Sequence, residues 1–466
     1  MDARCPDSLS WAELKYVSDM SVRLRLSVMF FLQFAVWGCY MVSLGQYLGN
    51  AGLGRYIQWF YAVAGFAALF MPALAGAYAD RRVEAQRLNG LCHIVAAAFM
   101  LAVWGYGLST DRPDFTVIFT LFTLSAAAFS PTVSLTNTVC FAAMRANALD
   151  AVRVFPAIRV WGTVGFVAMM WVVNSVWIDG GAAGVTLDPA SPHAMSRMQY
   201  TVWQLFAASM AGFAAGLYSL TLPRVRPSRS AGSRQRGWRS LPVLGMLRLF
   251  ADRQLAPLFI LALFIGVALQ INNGYVTPFL THFRGDPAFA TSFGAANATL
   301  LSSLAQISEA LWVLPLGCFM ARCGIKATLA ASIAAWAVNF FCFALGDTGS
   351  GLWLIVTAMV AYGVAFDFYN VAGAIYVDDN AAPADRAAAQ GLLVTVNRGI
   401  ASGIGMLVAG WFVNSMCEWT AVGSQRYLTG NWAAVWTVFG LYVLAVLLFF
   451  LVKFPDRSRQ GSGRSR

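Results

Sequence analysis

AYGVAFDFYNVAG, residues 361–373, sets Asp367 in the middle of a long apolar run that reads only as a membrane-spanning helix. An ionisable group at the bilayer midplane costs about 3 kcal/mol on insertion scales, so it is held there by a partner, an aqueous cavity or a function. The chain has 32 Lys and Arg and 21 Asp and Glu, yet only Arg159, Glu309, Asp367 and Arg398 fall deep inside apolar spans. Two acids and two arginines at that depth predict a polar cavity that can carry a proton.

Outward from this stretch the chain reads as polytopic throughout. It is 59% hydrophobic and 11% charged, against about 25% charged in soluble domains. At about 20 apolar residues per crossing, twelve spans are expected: 26–48, 56–78, 88–109, 115–140, 154–176, 200–222, 256–278, 293–317, 327–346, 352–376, 388–413 and 431–453. The predicted class is an all-α membrane protein. Charge orients it: loops of one parity, with both termini, hold 25 Lys and Arg, and the opposite loops hold five, Arg55, Arg112, Arg197, Arg284 and Arg426. This asymmetry predicts cytoplasmic termini and accounts for the formal charge of +11 without a nucleic-acid partner. The polar start, MDARCPDSLSWAELKYVSDMSVRLRL, does not read as a cleaved signal peptide. The eight cysteines form no CxxC, and His93, His193 and His282 have no metal-ligand spacing.

The basic stretch PRVRPSRSAGSRQRGWRSLP (223–242) carries no acid and reads as a linker that contacts anionic lipid headgroups. It divides the chain into an N-terminal six-span half, 1–222, a linker, 223–255, and a C-terminal half with a basic tail, 256–466. The halves echo each other. GAYADRRVEAQR carries Gly76, Asp80 and Arg81, and GCFMARCGIK carries Gly317, Arg322 and Gly324, with Gly and Arg five apart in both. This resembles the signature loop of the major facilitator superfamily, although the second copy has Ala321 where the acid would stand. The resemblance implies two six-helix bundles rocking about a central site, with these residues stabilising one conformation.

Four polar clusters recur at helical spacing: Arg159, Thr163 and Phe166; Gln270 and Asn273; Gln306 and Glu309; and Tyr362, Phe366 and Asn370 with Asp367 beside them. Lipid cannot satisfy such groups, so they face the bundle interior. Buried amides also serve as glue between helices, but glue does not need two acids. The amides suit a nucleobase edge or sugar hydroxyls, and the aromatic rings offer faces on which a flat ring stacks. Arg159 either holds substrate or pairs with an acid, Arg398 is expected to snorkel to the interface, and Gln33 and Trp37 either line the cavity or pack. His93 is expected to pack between helices, as is the run Gly399, Gly403, Gly405.

FLQFAVWG (31–38), FMPALAG (70–76), FPAIRVWGTVGF (155–166), LQINN (269–273), AQISE (305–309), YGVAFDFYN (362–370) and AAAQG (387–391) are similar to the bacterial nucleoside:proton symporter family of that superfamily. The resemblance implies import of nucleosides driven by the proton gradient, with no cofactor, in the bacterial cytoplasmic membrane. It puts the substrate-contacting positions on Arg159, Thr163, Phe166, Gln270, Asn273, Gln306, Glu309, Tyr362, Phe366 and Asp367. Asp367 is the expected coupling acid, with Glu309 as substrate ligand and second candidate. The expected partners are a nucleoside, protons and membrane lipid, and the chain is expected to act as a monomer. The N-terminal extension and the loop WIDGGAAGVTLDPASPHAMSRMQY depart from the family and are expected to lie away from the cavity. The competing readings are a sugar or oligosaccharide:proton symporter, sodium coupling, and a non-transporting nucleoside receptor.

Overall fold

The structure, a computed structural model, describes residues 11–81, 83–224, 252, 254–382, 385–423 and 425–454. Most of the basic linker (225–251 and 253), the basic tail (455–466) and the first ten residues lie outside the described residues. The helices are α1 (Trp11–Tyr40), α2 (Leu44–Asn50), α3 (Ile57–Arg81), α4 (Ala85–Ser109), α5 (Phe115–Phe129), α6 (Thr132–Ala146), α7 (Ala151–Ser175) and α8 (Trp203–Ser219) in the first half. The second half has α9 (Ala256–His282), α10 (Ala298–Leu345), α11 (Leu352–Asn380), α12 (Arg386–Val394), α13 (Ser402–Met416) and α14 (Trp432–Lys453).

Ten helical stretches among the described residues are long and apolar enough to cross a membrane. The 48-residue α10 turns at Gly324, whose φ of 80° suits glycine, and so covers two expected spans. The 17-residue α8 covers another, which is consistent with twelve crossings. The expected loop around Gly317 and Arg322 is therefore helical up to Gly324.

The fourth expected span is two helices, α5 and α6, broken at Ser130–Pro131, where proline removes a backbone donor. The eleventh is interrupted by a π-helical segment, Thr395–Ala401, between α12 and α13. Two β-hairpins add to the all-helical expectation. Strand β1 (Val176–Asp179) pairs antiparallel with β2 (Ala182–Val185) across a Gly180–Gly181 turn. Strand β3 (Cys417–Val422) pairs antiparallel with β4 (Gln425–Gly430).

Within the first half α1 packs along α7, and within the second α10 packs along α11 and α14. The α1–α7 crossing is made close by two glycines: a Cβ on Gly38 would fall 2.3 Å from the Phe166 carbonyl oxygen, and one on Gly165 2.2 Å from that of Phe31. The crossing fixes the rotation of α7.

Hydrogen bonds between the halves cluster at the end carrying Arg55, Arg197, Arg284 and Arg426. Buried Arg197 donates to Asn297 Oδ1 (2.7 Å) and to the Ala296 carbonyl (2.6 Å). Thr299 donates to Gln199 Oε1 (2.8 Å). Gln46 donates to the Arg426 carbonyl (2.8 Å), and the Arg426 amide donates to Asn50 Oδ1 (3.0 Å). The loop between the fifth and sixth spans is thus a clasp, away from the central cavity but joined to the opposite half.

Candidate functional site

Between the halves lies a cavity of about 200 Å³, walled by residues of α1, α3, α7, α9, α10, α11, the π-helical segment and α13. Nine of the ten expected substrate positions line it: Arg159, Thr163, Phe166, Gln270, Asn273, Gln306, Glu309, Tyr362 and Phe366. Trp37 does too, with Phe34, Met41 and Ser402, which were not among the expected positions. Phe34 precedes Trp37 by three residues and Ser402 follows Arg398 by four, so helical spacing held the signal.

Asp367 is the exception. It is 6% exposed and does not line the cavity. Tyr362 and Phe366, four apart, occupy the wall, and one further residue on the helix turns the side chain away from it. Its Oδ2 is buried with no hydrogen-bond partner among the described residues. The charges acting on it are chiefly Glu309 and Arg159, and those acting on Glu309 are Arg159 and Arg398. None of the four forms an ion pair within the described residues.

Arg159 instead lies over aromatic faces, its guanidinium carbon 4.1 Å from the centre of the Phe34 ring and 5.9 Å from that of Phe30. A cation–π contact contributes about 0.5–2 kcal/mol, which helps to hold the guanidinium at the cavity wall. Gly162 makes the room, since a Cβ there would meet both Arg159 and Phe34 at 2.8 Å.

Helix α11 brings two aromatic rings to the wall. The Tyr362 and Phe366 rings are nearly parallel, 9° apart with centroids at 5.9 Å. Tyr362 is braced edge-on by Trp336 at 5.5 Å and lies in hydrogen-bonding reach of Gln306. Asn273 Nδ2 donates to Gln270 Oε1 at 3.2 Å, which leaves the Gln270 amide and the Asn273 carbonyl oxygen for a ligand. Ser308 donates to the Val360 carbonyl at 2.7 Å, pinning α10 on α11 beside Glu309.

Arg398, expected at the interface, is exposed. It lines the cavity from the π-helical segment. The adjacent Asn397 is buried and donates to the Ala262 carbonyl at 3.1 Å, fixing that segment on α9. Single π turns recur at functional sites.

Gln33 is absent from the wall. It is buried, donates to Thr132 Oγ1 at 2.8 Å and accepts from Thr136, with His93 Nε2 at 2.8 Å, so Gln33 and His93 belong to packing between helices. A Cβ on Gly399 would collide with Leu69 and one on Gly403 with Phe66, so the glycine run also serves packing. Gly76 and Gly317 stand at open positions, where a Cβ would meet nothing within 4 Å, and Arg322 is exposed. The side chains of Asp80 and Arg81 lie outside the described residues. Among the described residues no cluster of three His, Cys, Asp or Glu could hold a metal.

Two helical halves, joined at one end and enclosing a polar, aromatic-walled cavity, define a membrane transporter of the major facilitator fold. The crystal structure of a peptide transporter aligns over 92% of this chain at a TM-score of 0.66 and 12% identity, a likeness of fold alone. The crystal structure of the nucleoside transporter NupG aligns over 94% of this chain and 100% of its own, at a TM-score of 0.77 and 31% identity. The nucleoside H+ symporter family matches residues 20–459. The xanthosine permease of Escherichia coli K12 is 33% identical over 440 residues, 93% of this chain and 97% of the permease. The nucleoside permease NupG of the same strain is 33% identical over 444 residues, 93% and 96% of the two chains. The chain belongs to the nucleoside H+ symporter family.

Proposed function

We propose that this protein imports nucleosides across the bacterial cytoplasmic membrane by proton symport, with the base stacked on Tyr362 and Phe366. The parallel rings of Tyr362 and Phe366, lining one cavity with Arg159, are the observation that carries the reading. Gln270, Asn273 and Gln306 read the base edge, and Glu309 and Arg159 take ribose hydroxyls through charge-assisted bonds. Thr163 and Phe166 close the N-terminal wall. Each chain holds a complete cavity, so the monomer is the transporting unit, and the proton gradient supplies the energy without a cofactor.

The termini and the basic linker face the cytoplasm in this reading, which the Lys and Arg asymmetry supports. The joined end is then periplasmic, and this conformation serves release. Asp367 carries the coupled proton. Set behind the wall, it senses substrate through Glu309 and Arg159 and not by contact. Neutralising a buried carboxylate removes the cost of sealing an uncompensated charge, so the loaded, protonated cavity closes and reopens. A free sugar would use the amides but carries no base to stack on the aromatic rings, which favours nucleosides over a sugar symporter.

Accumulation of labelled uridine and adenosine in right-side-out vesicles under an imposed pH gradient tests this reading. Accumulation that collapses with a protonophore, and that adenosine inhibits far better than free ribose, is the expected result. Equal inhibition by ribose, or uptake that follows sodium, would overturn it.

A further inference from the structure

A second, larger cavity of about 730 Å³ lies at the joined end, lined by residues of both halves. Arg55 and Trp59 come from the N-terminal half, and Trp411, Glu418, Trp419 and Arg426 from the C-terminal half. Three observations set its chemistry. The first is charge: two guanidinium groups and one carboxylate line it, and Arg55, Glu418 and Arg426 form no ion pair among the described residues. The second is an orphan donor: Trp419 Nε1 is buried with no hydrogen-bond partner among the described residues. The third is depth. Trp59 near the start of α3 is 45% exposed and Trp411 near the end of α13 is 72% exposed, so the cavity wall reaches the outer surface near the ends of two spans. Tryptophans at span ends sit at headgroup level. The cavity thus combines charged groups with tryptophans of the kind found at headgroup level.

We propose that this cavity binds the headgroup of one glycerophospholipid bearing an amine, its phosphate on Arg55 and Arg426 and its ammonium on Glu418. Arginine forks match phosphate oxygens, and a single acid beside them selects a zwitterionic headgroup over an anionic one. The Trp419 ring is inserted between Gly49 and Gly54 of the opposite half, where a Cβ would fall 1.9 and 2.2 Å from ring atoms. A lipid held here bridges the halves while they are together and therefore favours the conformation closed at this end. The inference does not depend on which solute the central cavity carries.

Native mass spectrometry of the full chain, exchanged into phosphatidylethanolamine and phosphatidylglycerol in turn, tests it. The wild type should retain one phosphatidylethanolamine, and the Arg55→Gln, Arg426→Gln double variant should retain it roughly tenfold less. Glu418→Gln should keep lipid binding but lose the preference between the two headgroups. Displacement of the lipid by soluble glycerophosphoethanolamine at equal concentration, or by uridine, would overturn the proposal in favour of a free phosphate or a substrate vestibule. So would equal retention by wild type and double variant. Unchanged uridine binding shows that each variant is folded. Where the double variant fails that check, Glu418→Gln decides: loss of headgroup preference supports the proposal, and retained preference overturns it.

Discussion

Arg197 Nη1 donates to Asn297 Oδ1 at 2.7 Å, with both side chains fully buried. Asn297 also accepts from Asn174 at 2.9 Å and donates to the Leu187 carbonyl at 3.1 Å. One asparagine at the start of α10 therefore ties down two segments of the opposite half. A buried hydrogen bond to a charged group contributes about 1.5–3 kcal/mol, comparable to the differences between transporter conformations.

Asn297→Ala leaves Arg197 Nη1 without its acceptor, while Nη2 keeps the Ala296 carbonyl, and should shift the population towards conformations parted at this end by about tenfold. Spin labels at the exposed positions Val185 and Phe293 report it. A new population at longer distance is expected, and an unchanged distribution would show that the clasp does not bias the equilibrium.

Phe366→Ala removes half of the stacking platform. Base–aromatic stacking is worth about 1–3 kcal/mol per base, so uridine affinity measured by calorimetry should fall roughly 5- to 150-fold. Tyr362→Phe keeps both ring faces and should lose less. Equal affinity for wild type and Phe366→Ala would remove the base from this wall.

Glu309→Gln keeps the shape of the side chain but replaces charge-assisted bonds by neutral ones, about half as strong. Binding should weaken by roughly tenfold, and 2′,3′-dideoxyuridine, lacking the ribose hydroxyls, should bind wild type and variant alike. A variant that still prefers uridine over the dideoxy compound as wild type does would place the hydroxyls elsewhere.

Gly165→Leu forces a branched side chain against the Phe31 carbonyl, where even a Cβ would fall at 2.2 Å. Overpacking of this kind costs about 1–3 kcal/mol, read as a lowered Tm in detergent. An unchanged Tm would mean that α1 and α7 part without cost.

Much of the central site is legible in the sequence because membrane helices leave polar residues few places to go. Arg159, Thr163 and Phe166 share a face by spacing alone, and so do Tyr362 and Phe366. Asp367 departs from expectation by a single residue step, since helical spacing does not say how wide the cavity-facing arc is. Arg398 lines the cavity from a segment whose backbone is π-helical, a change that its local sequence does not announce. The helix through Arg322 runs on to a kink at Gly324, whose φ of 80° breaks it, and the place of Trp419 depends on a hairpin meeting Gly49 and Gly54 of the other half. Contacts so distant in sequence leave no local periodicity to read.

Uridine exchange compared with uridine accumulation, in vesicles carrying Asp367→Asn, bears most directly on proton coupling. Exchange of labelled for unlabelled uridine should persist, because Asp367 stands off the cavity wall, while accumulation driven by a pH gradient should be lost. Accumulation at the wild-type level by this variant would remove Asp367 from proton coupling.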